Sequence, residues 1–184
     1  MYEDKEQWRF VFSHTLSMKK RDFCRAGKFN KQFGDHWGFE DLEIGFNLMK
    51  DGCIFELISN SENETKKIAE QFAKQLKKGD IVVLTGDLGS GKTKFVEGIL
   101  TYFGKEEEIS SPTFTIVNEY SADENIYHFD VYRLEDLDEF YAIGGTEYFD
   151  NGICIIEWGE ILEPILSRYI KINISKDEDN LDKR

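Results

Sequence analysis

The stretch Gly86-Asp87-Leu88-Gly89-Ser90-Gly91-Lys92-Thr93 decides the fold. It fits G-x-x-x-x-G-K-[ST], a loop whose backbone N–H groups can surround phosphate oxygens. Its flanks fit as well. Upstream, Ile81-Val82-Val83-Leu84 is a short apolar, β-branched run that reads as a buried strand. Downstream, Phe95, Val96, Ile99, Leu100 and Phe103 recur at helical spacing until Gly104 stops the helix. Strand, glycine loop and helix in that order aim N–H groups and a positive helix end at an anion. Lys92 is then expected to reach the β/γ-phosphates of a bound nucleotide, and the Thr93 hydroxyl to sit on Mg²⁺.

The totals bound what surrounds this loop. A chain of 184 residues holds one ordinary domain plus an appendage. No run of 18 apolar residues occurs, so no membrane span is expected, and the acidic start Met-Tyr-Glu-Asp-Lys-Glu lacks a secretory core. Cys24, Cys53 and Cys154 are odd in number, far apart and without CxxC spacing; reduced thiols and a cytoplasmic location are expected. The net charge of −13 is uneven: residues 1–58 carry −1 and residues 59–184 carry −12. A domain that grips nucleic acid by itself needs a basic stripe, so any RNA contact is expected to run through a more basic partner.

Composition changes near Ile54–Ser59, and two segments are expected: 1–56, and an α/β domain at 57–176 followed by a polar tail at 177–184. In the first, Trp37 to Lys50 reads as a short helix with Glu40, Asp41 and Glu43 in its opening turn, closed by Gly52. In the second, Ser61-Glu62-Asn63-Glu64 is a capping box ahead of a helix with Ile68, Phe72 and Leu76 on one face, and Lys77-Lys78 suit its C-terminal dipole. Pro112 breaks any helix, and Thr113 to Tyr120 reads as a strand. A turn at 122–125 leads to a second arm, Ile126 to Arg133, so the antiparallel part of a mixed sheet is placed at Thr113–Arg133. A short helix at Glu135–Tyr141, an apolar strand at 152–157, a Pro164-interrupted helix and an alternating strand at Ile170–Ile174 complete it.

A phosphate loop implies nucleotide binding; hydrolysis also needs Mg²⁺ and a group to orient water. Glu157 ends the apolar strand, in the manner of a Walker B acid, and Asp130 lies towards the end of another strand. Thr113 sits where a switch threonine could meet the γ-phosphate or Mg²⁺, and Trp158 is placed to stack on a base or cover the site. Glu106-Glu107-Glu108 reads as a solvated loop and His128 as a sheet histidine satisfied in place.

Two resemblances attach to these residues. Gly86–Thr93 with Phe95, Ser111-Pro112-Thr113-Phe114, His128-Phe129-Asp130-Val131-Tyr132-Arg133-Leu134 and Ile156-Glu157-Trp158-Gly159-Glu160 resemble, in order and spacing, the TsaE (YjeE) family of small P-loop ATPases. The resemblance implies a P-loop NTPase-like α/β fold and a role, with TsaD and TsaB, in making threonylcarbamoyladenosine beside the tRNA anticodon. It implies ATP at Gly86–Thr93, Thr113 and Trp158, Mg²⁺ at Thr93, Glu157 and Asp130, and Glu157 and Asp130 as catalytic carboxylates. Lys94 and Gly159 depart from the family, which often has Thr and Pro at those places. Separately, Lys19-Lys20-Arg21-Asp22-Phe23, Gly27-Lys28-Phe29-Asn30 and Trp37-Gly38-Phe39-Glu40-Asp41 resemble the C-terminal part of family-two-type glycosyltransferases, with Glu40 or Asp41 as the base. The donor half has no room upstream, so residues 1–56 are expected to be an inactive fragment.

Two rivals share the loop. A nucleotide-dependent switch with slow turnover would use the same residues. A small-molecule P-loop kinase would close arginines over the phosphoryl group, and beyond the loop only Arg133, Arg168 and Arg184 exist to do so.

Overall fold

The structure is a computed structural model that describes residues 59–176. The helix expected around Glu40 and Asp41, the glycosyltransferase-like segment and the tail at 177–184 lie outside the described residues.

Helix α1, Glu62–Ala73, starts at Ser61, whose extended backbone lets its Oγ accept the Glu64 N–H at 3.2 Å. Glu64 reaches back one residue further than a capping box requires, accepting the Asn60 N–H at 2.7 Å. The helix ends at Ala73, so Lys77 and Lys78 do not cap it as expected; they belong to a turn in which the Lys77 N–H donates to Asp80 Oδ2. Strand β1, Ile81–Thr85, is buried along its whole length and feeds the phosphate loop. Helix α2 follows at Lys92–Tyr102, and Gly104, at φ 68°, turns the chain out of it.

Strand β2, Val117–Ser121, starts four residues later than the sequence pattern suggests. The Pro112 carbonyl accepts the N–H groups of Thr115 and Ile116 at 3.0 and 2.7 Å, and Ile116 is at φ 67°, so the β-branched run is turned away from the ladder. Strand β3, Asn125–Asp130, ends at Asp130 and not at Arg133. Then come α3, Leu137–Ala142, capped by Asp136, and β4, Ile153–Glu157. The segment expected as a Pro-interrupted helix is a 3₁₀ stretch, Gly159–Ile165, with Pro164 inside it. Strand β5, Ile170–Asn173, completes the sheet.

The fold class is the expected α/β: one mixed sheet in the order β2-β3-β4-β1-β5, in which only β2 runs against its neighbour. Alternation separates two faces. Ile81, Val83, Tyr127, Phe129, Cys154 and Ile156 share a core with Phe140, Leu162 and Leu166. Phe129 anchors it, its ring centroid 5.8 Å from Phe140 and 5.4 Å from Tyr148. On the other face Val82, Leu84, Ile126, Ile153 and Ile155 are fully buried, as are Val96, Ile99 and Leu100 of α2. Helices α1 and α2 touch where Gly98 meets the backbone of Lys66 and the side chain of Ala69.

Strands β3, β4 and β1 are adjacent and parallel, so their carboxyl ends open on one side of the sheet. Ligands of open α/β sheets bind there.

Candidate nucleotide site

The loop after β1 is shaped by its glycines at two points. Gly86 is at φ 126°, and a Cβ there would run into the Ile174 carbonyl oxygen. Gly91, at φ 111°, is the N-cap of α2, and no side chain caps that end. The N–H groups of the first turn therefore face the loop, where the helix dipole favours an anion. Asp87 and Leu88 form the exposed rim, Gly89 is exposed beside them, and Ser90 is buried.

Lys92 is 4% exposed, and its Nζ donates to the carbonyls of Gly86 and Asp87 at 2.7 and 2.8 Å. The ammonium also lies 3.5 Å from the centroid of the Trp158 ring. Burial lowers its pKa, against the pull of Glu157, Glu160, Asp87 and Asp130. An ammonium held by carbonyls and a ring gains from meeting a phosphate, because charge-assisted hydrogen bonds are about twice as strong as neutral ones.

The two strand-end acids are in register: Asp130 of β3 stands opposite Glu157 of β4, and Leu84 of β1 lies on the other side of Glu157. Both are buried, Asp130 at 6% and Glu157 at 3% exposure. Glu157 Oε2 accepts the Thr93 hydroxyl at 3.1 Å, and Oε1 is 2.9 Å from His128 Nε2. Asp130 Oδ2 accepts the Thr113 hydroxyl at 2.7 Å, and Oδ1 the Tyr132 N–H at 3.1 Å. Thr93, Thr113, Asp130 and Glu157 are thus joined in two neighbouring pairs at the mouth of the loop. His128 is a buried sheet histidine, as expected, and among the described residues its side-chain hydrogen bond is to Glu157 on the neighbouring strand, with Nδ1 left without a partner. The sequence signal was its place two residues before Asp130, which puts both on one face of β3.

Trp158 is half-buried at φ 61°, with its N–H donated to the Leu84 carbonyl at 2.9 Å. That turn swings the indole against Lys92 and to 4.9 Å from the Tyr132 ring. Phe114, next to Thr113, is 83% exposed with the Arg133 guanidinium over its ring. Glu106, Glu107 and Glu108 are exposed, as expected of a solvated turn. Among the described residues no three His, Cys, Asp or Glu side chains gather as a metal cage.

A family model described as "Threonylcarbamoyl adenosine biosynthesis protein TsaE" matches residues 59–184. The chain belongs to the TsaE family. Similar proteins include the "tRNA threonylcarbamoyladenosine biosynthesis protein TsaE" of Rickettsia conorii, 44% identical over 66% of this chain and 71% of that one. The protein of the same description from Bacillus subtilis is 45% identical over 54% of this chain and 63% of its own length. The crystal structure of Bacillus subtilis YdiB superposes with a TM-score of 0.54 at 36% identity, covering 69% of this chain and 78% of that one. The two departures from the TsaE pattern have local accommodations. Lys94 donates to Glu97 at 2.9 and 3.1 Å, and Gly159 is buried where a Cβ would lie 2.8 Å from Val83 Cγ1.

Proposed function

We propose that this TsaE-family chain is a Mg²⁺-dependent ATP hydrolase that supports threonylcarbamoyladenosine formation in tRNA, acting with TsaD- and TsaB-type proteins. One observation carries this: two buried carboxylates in register, Asp130 and Glu157, beside the uncapped N-terminus of α2 and Lys92. Like charges buried side by side favour a cation between them, and the helix end favours an anion. A Mg-nucleotide supplies both.

The residues divide the work by position. The N–H groups of Gly86–Thr93 would take phosphate oxygens, with Lys92 exchanging its carbonyl partners for the β/γ-phosphates. Thr93, Glu157 and Asp130 are the oxygen ligands available to Mg²⁺. Bound Mg-ATP brings the scissile phosphoanhydride bond and a metal to offset charge developing on it. Glu157 and Asp130 would orient water and accept its proton. Thr113 ties the loop ahead of β2 to Asp130, where it would sense the γ-phosphate, and Trp158 walls the loop on the Lys92 side.

The charge of −12 on residues 59–184 favours a route to tRNA through a more basic partner, and work on tRNA would put the chain in the cytoplasm. Among the described residues no helix is long and apolar enough to cross a membrane. The ATPase domain would comprise residues 57–176, with 1–56 an inactive fragment and 177–184 a polar tail. The exposed Phe114 beside Thr113 also favours a second reading, in which nucleotide state resets this loop and turnover is slow.

Phosphate release from ATP, with and without a TsaD–TsaB pair, tests the proposal. Stimulation in the complex is the expected result. Failure of the chain to bind that pair would overturn both partner-based readings.

A further inference from the structure

We propose that His128 is a positioning residue that holds the Glu157 carboxylate in its working orientation; this rests on the ATP-hydrolase reading. His128 is fully buried, and its Nε2 lies 2.9 Å from Glu157 Oε1. Its Nδ1 is buried with no hydrogen-bond partner among the described residues. Against an ionised carboxylate, which only accepts, the hydrogen bond requires the ring proton on Nε2, and in that tautomer Nδ1 is a bare acceptor. That tautomer is the cheaper one here, because an orphaned buried N–H costs more than an unused lone pair.

The sheet explains why the contact forms. In the parallel register Ile155 stands opposite His128 and Glu157 opposite Asp130, so His128 is the diagonal neighbour of Glu157 on one face. The imidazole ties down Oε1 and leaves Oε2 turned towards Thr93, at 3.1 Å. Without His128 the carboxylate would lose the donor that fixes its plane, and Oε1 would be left buried and unpaired. Groups that orient a metal-site or catalytic carboxylate in this way are typically worth about 10–100-fold in activity or metal affinity.

Two measurements test it on the full chain. In the first, ¹⁵N-labelled histidine is observed by long-range ¹H–¹⁵N correlation, where three imidazoles contribute and a His128→Gln spectrum assigns the third. The expected spectrum has the His128 proton on Nε2, with a resonance that moves in Glu157→Ala. A proton absent from Nε2, or an Nε2 resonance indifferent to Glu157→Ala, would overturn the proposal. In the second, ATP turnover is compared in His128→Leu and His128→Gln. His128→Leu should lower kcat by about 10–100-fold with KM for ATP unchanged. His128→Gln, whose amide N–H can replace Nε2–H, should recover most of that loss. Equal turnover in wild type and His128→Leu, or no recovery in His128→Gln, would contradict it. A wild-type chain that hydrolyses no ATP alone or with partners would remove the hydrolase reading, and the histidine spectrum would still decide whether His128 holds Glu157.

Discussion

Asp130 and Glu157 stand directly opposite one another on adjacent parallel strands, 27 residues apart in the chain and both buried. Each carboxylate is braced by a threonine: Thr113 on Asp130 and Thr93 on Glu157. Thr93 belongs to the phosphate loop and Thr113 to the loop before β2. Through these pairs the two loops that would surround a γ-phosphate are tied to neighbouring strand ends.

Lys92→Ala should abolish tight ATP binding, since it removes the cation proposed to face the β/γ-phosphates. The loop should survive the change, because the lysine caps two backbone carbonyls that water can reach in its place. Calorimetric titration with Mg-ATP measures this. An unchanged affinity would contradict the placement of the phosphates.

Gly98→Ala sets two effects against each other. Helix propensity alone favours alanine by about 1 kcal/mol. A Cβ at this position, however, would meet the Lys66 carbonyl and lie 2.6 Å from Ala69 Cβ, forcing α1 from α2. Overpacking of that kind costs about 1–3 kcal/mol, so net destabilisation is expected in urea melts. Stabilisation would mean that the two helices do not approach so closely.

Cys154 should resist alkylation at pH 8 in the native protein and react once the protein is denatured. Burial raises its pKa to about 12, with Asp150 adding to the shift, and only the thiolate is nucleophilic. Mass-spectrometric mapping of the Cys154 peptide gives the readout. Rapid native labelling would contradict the position of β4 in the core.

Glu97 joins the two helices, with Lys66 of α1 and Lys94 of α2 as its partners. Desolvation pushes its pKa up, but the hydrogen bonds from Lys66 and Lys94 outweigh it and leave the carboxyl below its ordinary 4.5. A depressed folded-state pKa contributes stability above the unfolded value and loses it as pH falls through the folded one. Wild type should therefore exceed Glu97→Gln in stability at pH 6–7, and the gap should close as pH drops below 4.5. A gap that is constant with pH would show that the ion pairs contribute nothing.

Much of this was legible locally. The phosphate loop, β1, α2, the Ser61 cap and the acid at the end of β4 follow from short patterns that tertiary packing reinforces. The loop before β2 misled because Thr113 to Ile116 have strand-forming side chains while the N–H groups of Thr115 and Ile116 donate to the Pro112 carbonyl. Sheet order was hidden, since nothing in the alternation of β3 or β4 says that they are neighbours. The contact of His128 with Glu157 was hidden for the same reason: it spans 29 residues and exists only once those strands pair in register. The indole of Trp158 against Lys92 depends on a positive φ that no residue-type preference announces.

The most direct test is reconstitution of threonylcarbamoyladenosine on tRNA with TsaD and TsaB, comparing the wild-type chain with Glu157→Ala. The variant should still bind ATP, yet hydrolyse it about 10²–10⁴-fold more slowly, the range for a positioned acid–base group. Modified nucleoside, counted by mass spectrometry over repeated turnovers, should fall with it. A Glu157→Ala chain that hydrolyses ATP and sustains modification at the wild-type rate would contradict the assignment of this site.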